Sequence, residues 1–401
     1  MIHEPMLLND DVLYILDTLR SRGYRADVVG GAVRDWLLGR PSFDYDITTS
    51  ASPDEVKSVF STHKTVDTGI KHGTVTLVVS GVGYEITTWR LDGEYLDGRH
   101  PESITFTKSL DEDLARRDFT VNAICYNPFD GYTDLYGGMD DLKAGVIRAV
   151  GEPRRRFTED ALRIMRAVRF AATLGFSLDE KTAEAATELK DALSKVSEER
   201  IYVELKKLIA GKNAYSALRD YGEIIMTVLP ELSVLNLPNE VAFCSAAPLV
   251  RLASLFMLNS DLPRSAFTSA MQRLKTDNAT RIMGERAIDA VTYHSFDTEY
   301  DALLALSEYG VEAVRMALEL GQLLGIYSTV EPKTLESAIL SEVPYALSML
   351  AVGGNELKAL GISGKGIGDT LSSLLDLCMR GECKNTRDAL LERARLVTPR
   401  D

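Results

Sequence analysis

Two carboxylates stand at alternate positions in residues 43–47, which read Phe-Asp-Tyr-Asp-Ile. The aromatic and β-branched residues that flank the two acids favour a strand. Side chains at i and i+2 of a strand point to the same face. Asp44 and Asp46 would therefore lie side by side and repel each other unless a cation lay between them. Mg²⁺ prefers hard oxygen ligands of this kind. The spacing indicates a divalent-metal site, although a solvated strand edge carries the same pattern.

A glycine turn precedes this acidic pair. Gly30 and Gly31 follow the apolar end of a short strand and open a helical pattern, so the backbone can approach a ligand closely and the first helical amides can face an anion. Arg34, one turn into that helix, can add a charge-assisted contact to the same anion. The turn, the arginine and the acids all lie within the 17 residues from Gly30 to Asp46. Together they predict a site for a triphosphate and its metal.

A third carboxylate, Glu85, stands in a predicted hairpin. Residues 74–79 and 84–89 are β-rich runs joined by a glycine-containing turn. If the second strand lies next to the acidic pair, Glu85 faces the same site. Two metals about 3.5–4 Å apart, bridged by such acids, would activate a hydroxyl and stabilise a leaving pyrophosphate.

The chain has two parts with different sequence patterns, and their secondary structure must position these residues. Up to residue 147 the chain mixes short β-rich runs with glycine turns, and beyond it amphipathic helical periodicity continues almost to the end. We therefore expect an α+β fold, with a small mixed-sheet head followed by an all-helical neck, body and tail. The four predicted domains are 1–147, 148–211, 212–330 and 331–401. Residues 91–113 lack periodicity and predict a loop, either mobile or a simple surface connection.

The helical half contains several predicted starting points. Thr158 is the predicted N-cap of a first helix with Asp160 in its opening turn, and Ser177 with Glu180 matches a capping box for a second. A third helix is expected from Glu198 onward. Later helices are expected at 215–228, 248–258, 264–292, 301–326, 333–350, 368–379 and 386–397.

The charge balance limits the possible functions. The 401 residues contain 45 Lys plus Arg against 59 Asp plus Glu, a net charge of −14, which argues against a protein that coats nucleic acid non-specifically. Residues 148–170 depart from this balance with seven arginines and three acids, an electropositive patch suited to a local nucleic-acid contact. These arginines are Arg148, Arg154, Arg155, Arg156, Arg163, Arg166 and Arg169.

Location and covalent chemistry are constrained as well. The N-terminus lacks a basic segment followed by an apolar core, and no apolar run reaches the roughly 20 residues of a membrane span, so a cytoplasmic protein without a membrane partner is expected. Four scattered cysteines indicate neither a disulfide framework nor a zinc site. The expected state is a monomer or weak dimer with no obligate protein partner evident.

The order of motifs closely resembles that of the class II tRNA nucleotidyltransferases, the CCA-adding enzymes. This family belongs to the polymerase-β-like nucleotidyltransferase superfamily and includes bacterial poly(A) polymerases. The resemblance covers about residues 29–210, with weaker similarity to residue 391. It rests on the Gly-Gly-Ala-Val-Arg-Asp run at 30–35, Asp-Tyr-Asp at 44–46, Arg-Arg-Asp-Phe-Thr-Val-Asn at 116–122, Glu-Asp-Ala-Leu-Arg at 159–163 and the segment 197–208.

The resemblance implies roles for individual residues. Asp44 and Asp46 would bind catalytic Mg²⁺, with Glu85 as the third carboxylate of the family. The implied nucleotide-binding residues are Gly30, Gly31, Arg34, Arg117, Asp118, Asp160, Arg163, Arg166 and Arg169. The loop after Arg90 matches the mobile element associated with adding the terminal A. The substrates would be CTP, ATP and the 3′ acceptor end of tRNA.

In this family match, Asp160 and Arg163 would read the incoming base. Residues three apart lie on one face of a helix, so the two can address one planar ligand together. Cytosine and adenine offer an amino donor to the carboxylate and a ring-nitrogen acceptor to the guanidinium. Uracil and guanine instead present a carbonyl oxygen to the carboxylate and an N–H to the guanidinium. A mismatch leaves polar groups unpaired at about 1–3 kcal/mol each. Without the family match, an ordinary surface ion pair explains the same spacing.

Residues 361–368 resemble the tail of the family. They predict a glycine-rich turn opening a helix at Asp369, where Lys365 would contact tRNA backbone phosphate. A tight turn between packed helices explains the same pattern. His294 is the only histidine in the helical half of the sequence, so no attached metal-dependent phosphohydrolase is expected.

Several activities share these motifs. The resemblance favours addition of CCA to tRNA, with an A-adding enzyme or a poly(A) polymerase as the alternative. A CC-adding enzyme and an RNA-binding relative without activity are less favoured, the latter because the three carboxylates are intact.

Overall fold

The computed structural model describes residues 4–40, 44–67, 69–93, 104–327 and 332–397. The chain forms two compact units, Met1–Leu229 and Pro230–Asp401. The finer division into head, neck, body and tail stays a prediction.

All the strands of the described residues lie in the first unit. They are β1 Ala26–Val29, β2 Asp46–Thr49, β3 Lys64–Val66, β4 Thr74–Val79, β5 Val82–Thr88, β6 Arg90–Asp92, β7 Ile104–Phe106, β8 Ile124–Asn127, β9 Gly131–Asp134, β10 Val146–Ile147 and β11 Ser177–Leu178.

Seven of these strands form one mixed sheet in the order β3-β4-β5-β2-β1-β8-β9. The pair β2 and β5 is parallel, and the other neighbours are antiparallel. Burial alternates along β4, as expected for a strand with one face on the core. The predicted hairpin is confirmed, and its turn residues Ser80 and Gly81 have φ of 50° and 84°, the left-handed pair of a tight primed turn.

Helices surround this sheet and continue beyond it in the first unit. They are α1 Asp10–Ser21, α2 Gly31–Leu37, α3 Pro53–Val59, α4 Leu110–Ala115, α5 Gly138–Ala144, α6 Pro153–Glu159, α7 Leu162–Leu174, α8 Glu180–Glu188, α9 Glu198–Ala210, α10 Ala214–Asp220 and α11 Gly222–Val228. Helix α7 packs on α9, and both helices bury apolar side chains, among them Val168 and Leu205. The sheet and this helical pair provide the framework for the predicted site.

Two predicted helix starts are wrong. The first predicted helix corresponds to α7, which begins at Leu162. Thr158 lies in a separate helix, α6, which begins at Pro153, whose fixed φ suits the opening position, with Glu152 accepting from the Arg154 amide as N-cap. It ends at Glu159, and Asp160 is extended, with φ −142° and ψ 102°. In the second case the N-cap is Asp179, because residues 177–178 form β11, which pairs in parallel with β10.

The loop predicted at 91–113 is partly structured. Strand β6 pairs antiparallel with β7, and α4 begins at Leu110 after the N-cap Ser109. Strands of three residues are too short to give an alternation that can be recognised in the sequence. Residues 94–103 lie outside the described part of the chain.

The second unit consists of helices in its described residues, as predicted. They are α12 Glu240–Ser245, α13 Pro248–Asn259, α14 Pro263–Arg273, α15 Asn278–Tyr293, α16 Glu299–Tyr309, α17 Val311–Leu323, α18 Pro332–Leu340, α19 Gly354–Ala359, α20 Lys365–Met379 and α21 Arg387–Val397. The single helix predicted at 264–292 is two, separated by a turn at Lys275 with φ 52°. Gly310, with φ 82°, divides the helix predicted at 301–326 in the same way.

No helix within the described ranges is long and apolar enough to cross a membrane. The four cysteines are free thiols.

Candidate active site

The sheet brings two of the three predicted carboxylates to neighbouring positions. Asp46 is the first residue of β2, and its register partners are Val29 on β1 and Glu85 on β5. Asp44 precedes the strand, which begins later than the sequence predicted, and residues 41–43 lie outside the described part. All three carboxylates are exposed. Asp46 lies where β1 leads into the glycine turn, among the central strands of the sheet, with Asp44 just before it and Glu85 beside it on β5.

These carboxylates influence one another electrostatically. The pKa of Asp46 is raised, chiefly because the surrounding protein partly desolvates its carboxyl. The positive Arg117 acts in the opposite direction, and the negative charges of Asp44 and Glu85 raise the pKa further. A cation placed among these groups would relieve the repulsion.

Among the described side chains, no group of three or more His, Cys, Asp or Glu residues is arranged to hold a metal ion. The acids therefore do not form a complete three-ligand set as they stand. Mg²⁺ is commonly held by one or two carboxylates, with water and substrate phosphates supplying the other ligands. Asp44 and Asp46 fit that requirement by donor type, because both present exposed carboxylate oxygens.

The glycine turn meets Arg117 and Asp46 directly. Gly30 has φ 77°, and a Cβ at this position would lie 3.6 Å from Arg117 Nη1 and 3.9 Å from Asp46 Oδ2. Only glycine adopts this backbone without strain. The buried Nε of Arg117 has no hydrogen-bond partner among the described residues. Arg117 Nη1, which lies nearest the turn, is placed to donate to an anion bound there.

A hydrogen-bonded chain connects α2 to α7. Arg34 Nη1 donates to Asn122 Oδ1 at 2.7 Å, and Asn122 Nδ2 donates to Asp118 Oδ1 at 3.0 Å. The other oxygen of Asp118 accepts from Arg166 Nη2 at 2.7 Å. Burial disfavours the Asp118 carboxylate, but Arg166, Asn122 and Arg163 outweigh that effect and lower its pKa to about 2. Asp118 is thus a fixed anion that orients its neighbours.

A second arginine group lies around Phe170. The guanidinium carbons of Arg169, Arg34 and Arg166 are 3.6, 5.0 and 5.5 Å from the centre of its ring. Arg169 Nε lies 2.6 Å from Glu204 Oε2, although the two atoms are not aligned as a hydrogen bond. The predicted nucleotide-binding arginines 34, 166 and 169 therefore meet at one place.

Asp160 and Arg163 are placed differently from the prediction. They do not share one continuous helix face, because Asp160 lies in the break between α6 and α7. Asp160 accepts from the Leu162 amide at 3.1 Å and from Arg200 Nη2 at 2.9 Å. Arg163, which is 9% exposed, donates to Glu159 at 2.9 Å and to the Arg116 carbonyl at 2.9 Å.

Comparison with known proteins identifies the family. A model of the "Poly A polymerase head domain" matches residues 26–148, and one of the "Probable RNA and SrmB- binding site of polymerase A" matches 175–234. The CCA-adding enzyme of Lactobacillus delbrueckii subsp. bulgaricus is 39% identical over 400 residues, which span 94% of this chain and 95% of that protein. The chain belongs to the CCA-adding enzyme family.

Other CCA-adding enzymes are also similar to this chain over nearly its whole length. That of Lactiplantibacillus plantarum is 36% identical over 392 residues, spanning 96% of this chain and 95% of that protein. A crystal structure of the Bacillus stearothermophilus CCA-adding enzyme in complex with CTP is 30% identical, with a TM-score of 0.74 and coverage of 96% of this chain and 97% of that one. The predicted resemblance and the α+β fold are confirmed.

Within this CCA-adding enzyme framework, several site residues were not predicted. Asn122 joins Arg34 to Asp118, and the fully buried Asp113 accepts from Arg116 at 2.7 Å. Arg200 and Glu204 hold the predicted base-reading and nucleotide-binding residues from α9. Their motif was visible in the sequence, but their partners Asp160 and Arg169 lie far away along the chain.

Lys365 belongs to the second unit. It is exposed and is the first residue of α20, four residues before the predicted start, with Gly364 as N-cap at φ 58°. The chain turns at a glycine here, as the sequence indicated, but α20 begins directly after Gly364, the residue with positive φ.

Proposed function

We propose that this protein adds C, C and A to the 3′ end of tRNA in the cytoplasm, using CTP and ATP and no nucleic-acid template. The observation that carries the proposal is the meeting of Gly30, Arg117 and Asp46 at the start of β2, beside Glu85 on β5. A phosphate-binding turn next to paired carboxylates suits nucleotidyl transfer. The CCA-adding relatives that match over 94% of this chain support the choice of tRNA as acceptor.

The triphosphate would lie along the start of α2. The amides at Gly30 and Gly31 contact its phosphates, and Arg34 and Arg117 neutralise its charge. Asp118 keeps Arg34 and Arg166 oriented through the hydrogen bonds described above and contacts the ribose. This arrangement fixes the nucleotide before the RNA arrives.

The reaction exchanges one phosphorus–oxygen bond for another. The 3′-oxygen of the tRNA attacks the α-phosphorus and loses its proton, the bond from that phosphorus to the bridging oxygen breaks, and pyrophosphate leaves. Asp44 and Asp46 would hold Mg²⁺, with Glu85 beside them. When bound, Mg²⁺ supplies activation of the hydroxyl and stabilisation of the charge on the leaving group.

Base choice would rest on Asp160 and Arg163. Asp160 accepts two hydrogen bonds and Arg163 donates through two of its nitrogens, so each retains capacity for a base edge. Their protein contacts hold both groups in fixed orientations. A fixed acceptor beside a fixed donor matches cytosine and adenine and leaves unpaired groups against uracil and guanine.

The proposal is tested with three RNA primers: tRNA transcripts ending before the first C, tRNA ending after the second C, and an unrelated RNA. Each is incubated with CTP, ATP or both. We expect C addition to the first, A addition to the second and little reaction with the third. Addition of A alone to tRNA would indicate an A-adding enzyme, and long A tails on unrelated RNA would indicate a poly(A) polymerase.

The metal assignment has its own test. Asp44→Asn should abolish C and A addition together while tRNA binding, measured by filter retention, stays near wild type. A variant that retains a tenth of the wild-type rate at saturating Mg²⁺ would contradict the role of Asp44.

A further inference from the structure

A basic cavity of about 610 Å³ lies between α2 and the helices α7 and α9. It contains none of the three carboxylates and neither member of the base-reading pair. Its charged lining residues are five cations and one acid, namely Arg34, Arg40, Arg169, Lys207, Lys212 and Asp35. In a chain with a net charge of −14, such a concentration of cations indicates an anionic ligand.

Three of these cations are not committed elsewhere. Arg34 pairs with Asp35 at 2.8 Å, and Arg169 pairs with Glu204 at 2.6 Å. Arg40, Lys207 and Lys212 are exposed, and within the described ranges their side chains form no ion pair or hydrogen bond. Their charges are available to a ligand without breaking an existing contact.

The position of the cavity relates it to one side of the proposed reaction. Gly30 is next to Asp46, Arg34 is one turn further along α2, and Arg40 follows the end of that helix. A triphosphate with its α-phosphorus at the carboxylates and its tail at Arg34 therefore extends toward the cavity. In an in-line displacement the attacking hydroxyl approaches opposite the leaving group. The RNA end thus belongs on the other side of the nucleotide.

We propose that this cavity binds inorganic pyrophosphate, the product of nucleotidyl transfer, through Arg40, Lys207 and Lys212. This inference rests on the proposed function. After the phosphorus–oxygen bond breaks, the pyrophosphate moves from Arg34 toward the three uncommitted cations. The same site receives pyrophosphate for the reverse reaction. In that reaction an oxygen of pyrophosphate attacks the phosphorus of the terminal phosphodiester, the bond from this phosphorus to the 3′-oxygen of the preceding nucleotide breaks, the 3′-oxygen takes up a proton, and a nucleoside triphosphate is released.

The test compares the double variant Lys207→Ala, Lys212→Ala with the control Lys206→Ala. Lys206 is the exposed neighbour of Lys207 on α9 and does not line the cavity. Inhibition of C addition by pyrophosphate is measured at fixed free Mg²⁺, because pyrophosphate chelates the metal. We expect the inhibition constant for pyrophosphate to rise about tenfold in the double variant and to stay at the wild-type value in the control.

Two further measurements separate a binding role from a structural one. Pyrophosphorolysis of a tRNA ending in labelled C should slow about tenfold at low pyrophosphate, while the KM for tRNA changes less than twofold. Replacement of both lysines by arginine should restore the wild-type inhibition constant, because the charge is retained.

An inhibition constant unchanged in the double variant would overturn the inference, and a tenfold rise in the KM for tRNA alone would assign the cavity to RNA instead. Calorimetric titration of pyrophosphate into the RNA-free protein is independent of activity. If no primer is extended, the proposed function fails, and the titration still shows whether the lysines bind pyrophosphate.

Discussion

Asp46 and Asp118 are two carboxylates of one site with opposite electrostatic environments. The pKa of Asp46 is raised, first by desolvation and then by its acidic neighbours, so its charge is best stabilised by an added cation. The pKa of Asp118 is lowered to about 2 because protein cations and an amide already surround it. The first group suits a metal ligand, and the second suits a permanent orienting anion.

The lowered pKa of Asp118 predicts a pH-dependent contribution to stability. Its ordinary value is 3.8, so the carboxylate stabilises the folded state fully above about pH 4, and this contribution is lost as the pH falls toward 2. Asp118→Asn should reduce the free energy of unfolding by about 2 kcal/mol at pH 7 and by roughly half as much at pH 3. Urea denaturation at several pH values measures the difference.

Asp140→Asn is a control for this experiment, because that carboxylate is 88% exposed and its contact with Lys143 is a surface pair. Its effect should be small at every pH. A deficit for Asp118→Asn that stays constant from pH 7 to pH 3 would contradict the assignment.

Base selection is also decided at single residues. Asp160→Ala removes the acceptor for the amino groups of cytosine and adenine, so the penalty against uracil and guanine disappears with it. We expect the ratio of kcat/KM for CTP over UTP to fall about ten- to a hundredfold. Arg163→Ala is the less direct test, because it also removes hydrogen bonds to the Arg116 and Arg156 carbonyls. An unchanged ratio in Asp160→Ala would mean that the residue only holds Arg200.

Among the strands, helices and turns, the sequence pattern predicted those features that depend only on residues close together in the chain. The hairpin and the glycine turn followed from alternation and turn residues, and both are confirmed. The helix break at Asp160 did not, because the groups that hold Asp160, such as Arg200, come from another helix. The proximity of Asp46 to the glycine turn was therefore predictable, whereas Lys207 and Lys212 line the basic cavity only through the packing of α9 on α7.

That packing depends on close backbone contact at Gly211. A Cβ there would lie 2.5 Å from the Ala172 carbonyl oxygen, which also accepts from the Asn213 amide at 2.9 Å. Gly211→Ala should therefore lower the free energy of unfolding by about 1–3 kcal/mol, measured by urea denaturation. Gly368→Ala, in open space inside α20, should instead be neutral or slightly stabilising. Equal stability of the two variants would show that the α7 contact adjusts easily.

For the whole molecule, the distribution of charge matters more than its sum. A net charge of −14 disfavours RNA at most of the surface, so binding must come from local basic groups. The seven arginines of residues 148–170, predicted to form an electropositive patch, all form ion pairs within the protein, and Arg156 and Arg163 are buried. The patch is therefore less basic than the sequence indicated. The second unit offers exposed lysines, of which Lys365, at the start of α20, is the residue that resembles the tail of the family.

Lys365 provides the test of that second contribution. Lys365→Glu should weaken binding of full-length tRNA, with a smaller effect on a minihelix that contains only the acceptor arm. If Lys365 contacts one phosphate, the slope of log K against log salt should fall by about 0.9 for full-length tRNA. Lys358→Glu makes the same charge change at an exposed position of α19 and should have little effect. Equal losses on tRNA and minihelix would place the contact of the tail on the acceptor arm, because only the rest of the tRNA distinguishes the two ligands.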